Sequence, residues 1–187
     1  MTHSRSNVTR RDAIRTSLAL ATTSLCPGPI TRAFGFESAN ARPRIGVIGC
    51  GVRWDKRVFV PDGRYGVGKQ FPKFGDIVAV CDVDAQRLER AKSIVKGWHV
   101  KVPDGTGDYR KVIDDPKIDV TNISTPVHWH AKIAIEAMLS EQDVYCEKPL
   151  TPTIGEGRHL VDEIRANDVV FQTGSQQRSE FGGRFRK

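Results

Sequence analysis

A chain of 187 residues can hold one full domain with a short extension, and this length excludes an enzyme of two complete domains. Its 39% of hydrophobic and 27% of charged residues are ordinary for a globular protein, so the composition argues against a disordered chain. Part of the net charge of +7 lies in residues 1–41. The 24 basic and 20 acidic residues that follow leave only +4, which is too mild for a nucleic-acid groove.

Residues 1–41 predict an export signal, with a charged start, an uncharged stretch at 16–26 and small residues ending at Ala41. The pair Arg10 and Arg11 resembles a twin-arginine (Tat) signal, so we expect cleavage after Ala41 and a periplasmic protein. The uncharged stretch is too short for stable membrane insertion, since a spanning helix needs about 20 apolar residues. A basic tail, amphipathic or disordered, remains the alternative.

Beyond this segment, apolar β-branched runs alternate with helical spacing. That alternation is typical of βαβ units and predicts a doubly wound parallel α/β sheet. Strands are expected at 44–48, 77–81, 120–125, 143–146 and 169–173, with a short one near 99–102. Helices are expected at 85–95, 131–139 and 155–166, with a helix fragment near 56–60.

The first strand runs directly into a glycine turn. Gly49 and Gly51 can let the chain turn tightly, and they let backbone N–H groups approach a pyrophosphate at the start of a helix. We therefore expect Gly49, Gly51, Val52 and Arg53 to lie against a dinucleotide. The motif lacks a third glycine, because Trp54 stands where close helix–strand packing would favour a small residue.

An aspartate ends the second strand. Asp82 stands where a carboxylate can accept hydrogen bonds from the adenosine ribose, although it lies 31 residues after Gly51 and the usual spacing is about 20. This carboxylate would oppose a 2′-phosphate and so favours NAD, while Arg53 leaves NADP open. The alternative is that Asp82 merely caps the following helix.

Three cysteines follow residue 41, namely Cys50, Cys81 and Cys146, and none has CxxC spacing. They fall in the glycine turn and in apolar strands. We therefore expect small buried hydrophobes, with neither a disulfide framework nor metal ligation.

Five further segments are similar to one enzyme family. They are CDVD at 81–84, DYR at 108–110, TPVHWHA at 125–131, EKP at 147–149 and GSQQR at 174–178. The TPxxxH and EKP signatures, one helix apart, resemble those of the Gfo/Idh/MocA family of NAD(P)-dependent oxidoreductases. The resemblance covers residues 42–187 and implies a Rossmann fold.

The resemblance assigns roles at the end of the fourth long strand. It implies that Lys148 points toward the nicotinamide and the substrate hydroxyl, that Glu147 helps to hold Lys148 and the cofactor, and that Pro149 is cis. Lys148 is thus the expected catalytic residue, at the edge of a parallel sheet where ligands bind. The alternative is an exposed strand-end charge followed by a simple turn.

The resemblance also places Thr125 and Pro126 beside the cofactor, with His130 lining its pocket and His128 capping or packing. A His128–His130 metal pair is disfavoured, because no carboxylate or cysteine cluster accompanies it. We predict no metal site.

The implied reaction is hydride transfer between NAD(P) and a sugar, inositol or related polyol. We expect the NAD(P)-binding domain at 42–174 and the start of a second, substrate-binding α/β domain, truncated here, at 175–187. Family oligomers commonly associate through the sheet of that second domain, so the resemblance leaves a homo-oligomer of the full-length form open. Two alternatives remain open, an NAD-dependent glycoside hydrolase of the same family and a non-catalytic dinucleotide-binding module.

Overall fold

A single parallel sheet organises the protein in the computed structural model, which describes residues 42–55, 66–98 and 101–175. Six strands lie in the order β3-β2-β1-β4-β5-β6, and every neighbouring pair is parallel. The strands are β1 (Arg44–Ile48), β2 (Asp76–Cys81), β3 (Asp104–Thr106), β4 (Val120–Ile123), β5 (Asp143–Glu147) and β6 (Phe171–Gly174). This order confirms the doubly wound Rossmann sheet.

Helices cover both faces of the sheet. They are α1 (Ala85–Trp98), α2 (Arg110–Ile113), α3 (His130–Leu139) and α4 (Ile154–Ala166), with 3-10 turns at Val67–Lys69, Phe71–Lys73 and Val127–Trp129. Buried side chains of α1 pack with the 3-10 turns at 67–73 in one apolar cluster, and those of α2, α3 and α4 form the other. No helix in the described ranges is both long and apolar enough to cross a membrane.

The first strand forms over an apolar run of the sequence. Four of the five residues of β1 are buried, as a strand covered on both faces requires, with Val47 in one cluster and Ile48 in the other. Because β1 is central, its end and that of β4 lie where the strand order reverses. This is the place at which doubly wound sheets bind ligands.

The third strand lies further along the chain than expected. The sequence predicted it near 99–102, whereas β3 spans Asp104–Thr106 and pairs with Ala79–Cys81 of β2. An edge strand of three residues, two of them exposed, needs no apolar pattern, so periodicity could not find it. The helix fragment expected at 56–60 lies outside the described residues.

Trp54 is buried at the position where a third glycine commonly stands. The small residue that makes room for its ring is Gly68. Trp54 is 1% exposed. Its indole packs directly on Gly68, where any side chain would overlap the ring. The close packing that a third glycine commonly provides is therefore supplied from the facing segment.

Candidate functional site

The residues that the sequence nominated lie at the carboxyl ends of four strands. Gly49 follows β1, Asp82 follows β2, Thr125 lies two residues beyond β4, and Glu147 is the last residue of β5. In the sheet order β2-β1-β4-β5 these ends are neighbours. The fold thus brings them to one edge, although they are up to 98 residues apart in the chain.

The two glycines of the turn have different surroundings. Gly49 has φ +90°, which favours glycine, and an added Cβ would lie 2.7 Å from the carbonyl carbon of Ser124. At Gly51 the nearest described atom to an added Cβ would be Arg87 Nη1 at 3.6 Å, so the described residues leave the space above Gly51 open.

A helical turn begins at this open position. The amides of Trp54 and Asp55 donate to the carbonyl oxygen of Gly51 at 3.1 and 2.9 Å. The first amides of such a turn have no acceptor within it, and a phosphate can accept from them. Val52, in the same turn, is 41% exposed.

Asp82 braces the glycine turn. Its Oδ2 accepts from the amide of Cys50 at 2.8 Å and its Oδ1 from the amide of Asp84 at 2.9 Å, and the residue is 8% exposed. The helix cap is a different residue, because Asp84 Oδ1 accepts from the amides of Gln86 and Arg87. The alternative that Asp82 only caps the helix is therefore wrong.

A buried ion pair joins the glycine turn to β5. Arg53 Nη2 lies 2.7 Å from Glu147 Oε1, and the two side chains are 22% and 2% exposed. Burial and the adjacent Glu147 charge raise the pKa of Tyr145. An added Cβ on Gly174, the partner of Glu147 in β6, would lie 2.8 Å from Glu147 Oε1, so the close approach requires glycine. No local motif in the sequence predicts the contact between Arg53 and Glu147.

Lys148 is exposed and follows Glu147 directly, so its side chain is accessible at the sheet edge. The Lys148–Pro149 peptide bond is cis, as the family resemblance implied. An exposed lysine thus directly follows a buried glutamate in the chain.

His130 is buried near the carboxyl ends of β4 and β5. Its Nδ1 lies 2.7 Å from the carbonyl oxygen of Pro149, and its Nε2 lies 2.8 Å from that of Thr125. At 2% exposure the ring holds together the segments after β4 and β5. Its contribution to a cofactor pocket would act through those segments.

Thr125 and Pro126 lie in the segment that follows β4. Thr125 Oγ1 is buried and has no hydrogen-bond partner among the described residues. Pro126 is extended and begins the 3-10 turn Val127–Trp129, which leads into α3. His128 is exposed, its ring centroid 6.0 Å from that of Trp129, and it makes no capping hydrogen bond. It packs and does not cap.

The three cysteines are buried free thiols, as expected. Burial, followed by the charge of Asp82, raises the pKa of Cys81 to about 12 and raises that of Cys50 further. Burial and the charge of Glu147 raise the pKa of Cys146 to about 12. These thiols are therefore packing groups. In the described ranges no three His, Cys, Asp or Glu side chains are grouped to hold a metal ion.

The sequence of this chain is similar to those of known proteins. A sequence model of the "oxidoreductase family, NAD-binding Rossmann fold" (Gfo/Idh/MocA) matches residues 43–175. Glycosyl hydrolase family 109 protein 1 of a Shewanella strain (ANA-3) is 32% identical over 169 residues, which are 83% of this chain and 37% of that protein. Levoglucosan dehydrogenase of Pseudarthrobacter phenanthrenivorans is 40% identical over 73 residues, which are 39% of this chain and 19% of that protein.

Solved structures show the same likeness. Myo-inositol 2-dehydrogenase from Lactobacillus plantarum superposes with a TM-score of 0.59 at 29% identity, over 75% of this chain and 38% of that one. A levoglucosan dehydrogenase in complex with NADH and levoglucosan gives 0.58 at 25% identity, over 73% of this chain and 36% of that one. The chain spans less than two fifths of the length of these relatives.

Proposed function

The chain belongs to the Gfo/Idh/MocA oxidoreductase family, and on that premise we propose that it is the NAD-binding part of a dehydrogenase acting on a sugar, inositol or related polyol. NAD would lie across the carboxyl edge of the sheet, with its pyrophosphate on the glycine turn and its adenosine ribose at Asp82. The nicotinamide would lie near Thr125 and Lys148.

The open space above Gly51 carries this proposal. A helical turn starts there, and among the described residues only the flexible end of Arg87 lies within 4 Å of the place where a side chain would stand. A pyrophosphate therefore fits against the backbone. Thr125 Oγ1 on the neighbouring segment, which is buried and has no partner in the described part of the chain, offers a further polar contact.

Cofactor preference follows from where the charges lie. Asp82 stands at the end of β2, where it opposes a 2′-phosphate. Arg53 could have offset that repulsion, but its guanidinium contacts Glu147 at the end of β5, three strands away. The arrangement favours NAD over NADP.

In this proposal bound NAD supplies the hydride chemistry. Lys148, accessible at the end of β5, would hold or take the proton of the substrate hydroxyl. Glu147 and His130 are too buried to reach a substrate, so they would position the segments that carry Lys148 and Thr125.

Calorimetric titration of the full 187-residue chain with NAD⁺, NADH and NADPH tests the cofactor. We expect weak but measurable binding, tighter for NAD(H) than for NADPH. Incubation with myo-inositol or levoglucosan, followed by absorbance of NADH, tests the reaction. A folded sample that gives no heat with either form of NAD would contradict the proposal.

A second candidate, an NAD-dependent glycoside hydrolase, is supported by the family 109 relative that aligns with 83% of this chain. Such an enzyme oxidises its substrate only transiently. NAD⁺-dependent release of nitrophenol from a nitrophenyl glycoside, with no net NADH, would favour this candidate over the dehydrogenase.

A further inference from the structure

The Arg53–Glu147 ion pair carries an inference beyond cofactor identity. A carboxylate that is 2% exposed requires an opposite charge, since a buried unpaired charge is strongly unfavourable. Arg53 supplies it at 2.7 Å. The two groups therefore stay together, although 94 residues separate them in the chain.

The ion pair connects the glycine turn, where the pyrophosphate would lie, with the end of β5 that carries Lys148. The distance between these two parts of the site must stay fixed. Arg53 lies two residues after Gly51, above which the pyrophosphate would lie, and Glu147 directly precedes Lys148. Because each charged residue is this close in sequence to its functional neighbour, the ion pair limits how far Lys148 can move from the glycine turn.

The surroundings restrict the pair to one arrangement. Gly174 and Tyr145 close around the Glu147 carboxylate from β6 and β5. Arg53 Nε and Glu147 Oε2 are buried without a hydrogen-bond partner among the described residues, so only the Nη2–Oε1 contact links the two side chains. A link made by one contact is sensitive to small displacements.

We infer that Arg53 is a positioning residue, whose ion pair with Glu147 fixes Lys148 against the nicotinamide half of bound NAD. This inference rests on the proposed NAD site. It gives Arg53 a role distinct from contact with a 2′-phosphate.

The test measures the accessibility of Lys148 when NAD⁺ is bound. The full chain is saturated with NAD⁺ and treated with acetic anhydride, and mass spectrometry follows acetylation of each lysine. We expect NAD⁺ to protect Lys148 from acetylation in the wild type, with Lys117 as the unprotected internal reference. The double variant Arg53→Met with Glu147→Gln removes the pair without leaving a buried charge.

In that double variant we expect protection of Lys148 to be lost at an NAD⁺ concentration that calorimetry shows to saturate the variant. Gly174→Ala is a second route to the same result, because its methyl group displaces Glu147. Arg42→Met is the matched control, since it removes an arginine–carboxylate pair from the opposite end of the sheet. Circular dichroism checks folding of each variant.

The outcomes separate the two claims. A wild type that binds no NAD⁺ refutes the proposed function itself. A wild type that binds NAD⁺ but leaves Lys148 unprotected, or folded variants at Arg53 and Gly174 that retain full protection, would overturn the role of Arg53. Lost protection in both variants, with full protection in the Arg42→Met control, supports it.

Discussion

Gly51 lies in open space, and this makes it a clean position at which to test cofactor binding. We expect Gly51→Val to fold normally, because among the described residues an added Cβ meets only the flexible end of Arg87, and to abolish NADH binding by filling the pyrophosphate position. Calorimetry measures the loss. Gly97→Val is the control, since Gly97 lies on α1 and no atom of the described residues lies within 4 Å of an added Cβ. Equal binding by both variants would refute a pyrophosphate site at this turn.

Asp82 should affect binding more than its exposed neighbour does. Asp82→Ala removes the acceptor for the Cys50 amide and the proposed ribose contact, so we expect weaker NADH binding and a smaller preference over NADPH. Asp84→Ala is the comparison, because it removes the cap of α1 and the ion pair with Arg87 but leaves the acceptor of the Cys50 amide in place. Titrations with both cofactors decide between them, and an unchanged NADH affinity in Asp82→Ala would contradict the ribose role.

Lys148 is exposed, so its removal should not disturb the fold. We expect Lys148→Ala to leave NAD affinity nearly unchanged and to lower any polyol-dependent NADH formation by about 10²–10⁴-fold, the usual effect of losing a proton-transfer group. Initial rates and calorimetry on the same sample check both parts. Wild-type turnover in the variant would exclude a catalytic role for Lys148.

For single residues, the sequence predicted which ones lie together at the carboxyl ends of the strands, but it did not predict all of their contacts. Gly49, Asp82 and Lys148 were recognisable because each follows an apolar strand within a known motif. Arg53 follows β1 and Glu147 ends β5, so their contact forms only when the sheet assembles. No local spacing in the sequence predicts it. The same holds for His130, whose burial is set by carbonyl groups on two separate segments.

Among the elements, β1 and β4 are joined at their amino ends by a charge contact that should give acid sensitivity. Arg44 donates to Asp119 from its amide at 2.7 Å and from its guanidinium at 2.8 and 3.0 Å. These hydrogen bonds from Arg44 hold the pKa of Asp119 below its ordinary value. The resulting stability is present above the unfolded-state pKa of about 3.9 and is lost as the pH falls through the lower, folded-state pKa.

We therefore expect Asp119→Asn to lower the free energy of unfolding by about 1 kcal/mol at pH 7 and by less near pH 3. Urea unfolding of variant and wild type at both pH values measures the difference. A deficit that stays constant between pH 7 and pH 3 would show that the ionised Asp119 is not responsible.

The long elements were predictable because their patterns repeat. β1 was placed with its observed bounds, and α3 and α4 each begin one residue before the expected start. By contrast, α2 and β3 have four and three residues, too few to show a period, and their positions follow from packing against longer neighbours.

For the whole molecule, export remains a proposal that rests on residues 1–41, which lie outside the described structure. Arg42, directly after the proposed cleavage site, belongs to the folded domain and donates to Asp76 and to the carbonyl oxygen of Pro72. We expect Arg10→Lys together with Arg11→Lys to leave the precursor in the cytoplasm, because a Tat signal requires the arginine pair.

Cell fractionation and N-terminal sequencing measure this outcome, and the exported wild type should begin at Arg42. Arg5→Lys with Arg15→Lys is the control, since it makes the same chemical change outside the pair. Unchanged export of the Arg10 and Arg11 variant would exclude the Tat route.

The hydrogen bond between Asp82 and the Cys50 amide also restricts how this protein could evolve a different cofactor. A lineage that replaced Asp82 to admit a 2′-phosphate would at the same step loosen the turn proposed to bind the pyrophosphate of either dinucleotide. A protein with Asp82 alone replaced would bind both cofactors poorly, so selection would act against it. A change of cofactor would thus require a second substitution that supports the turn first, which makes the present preference historically stable.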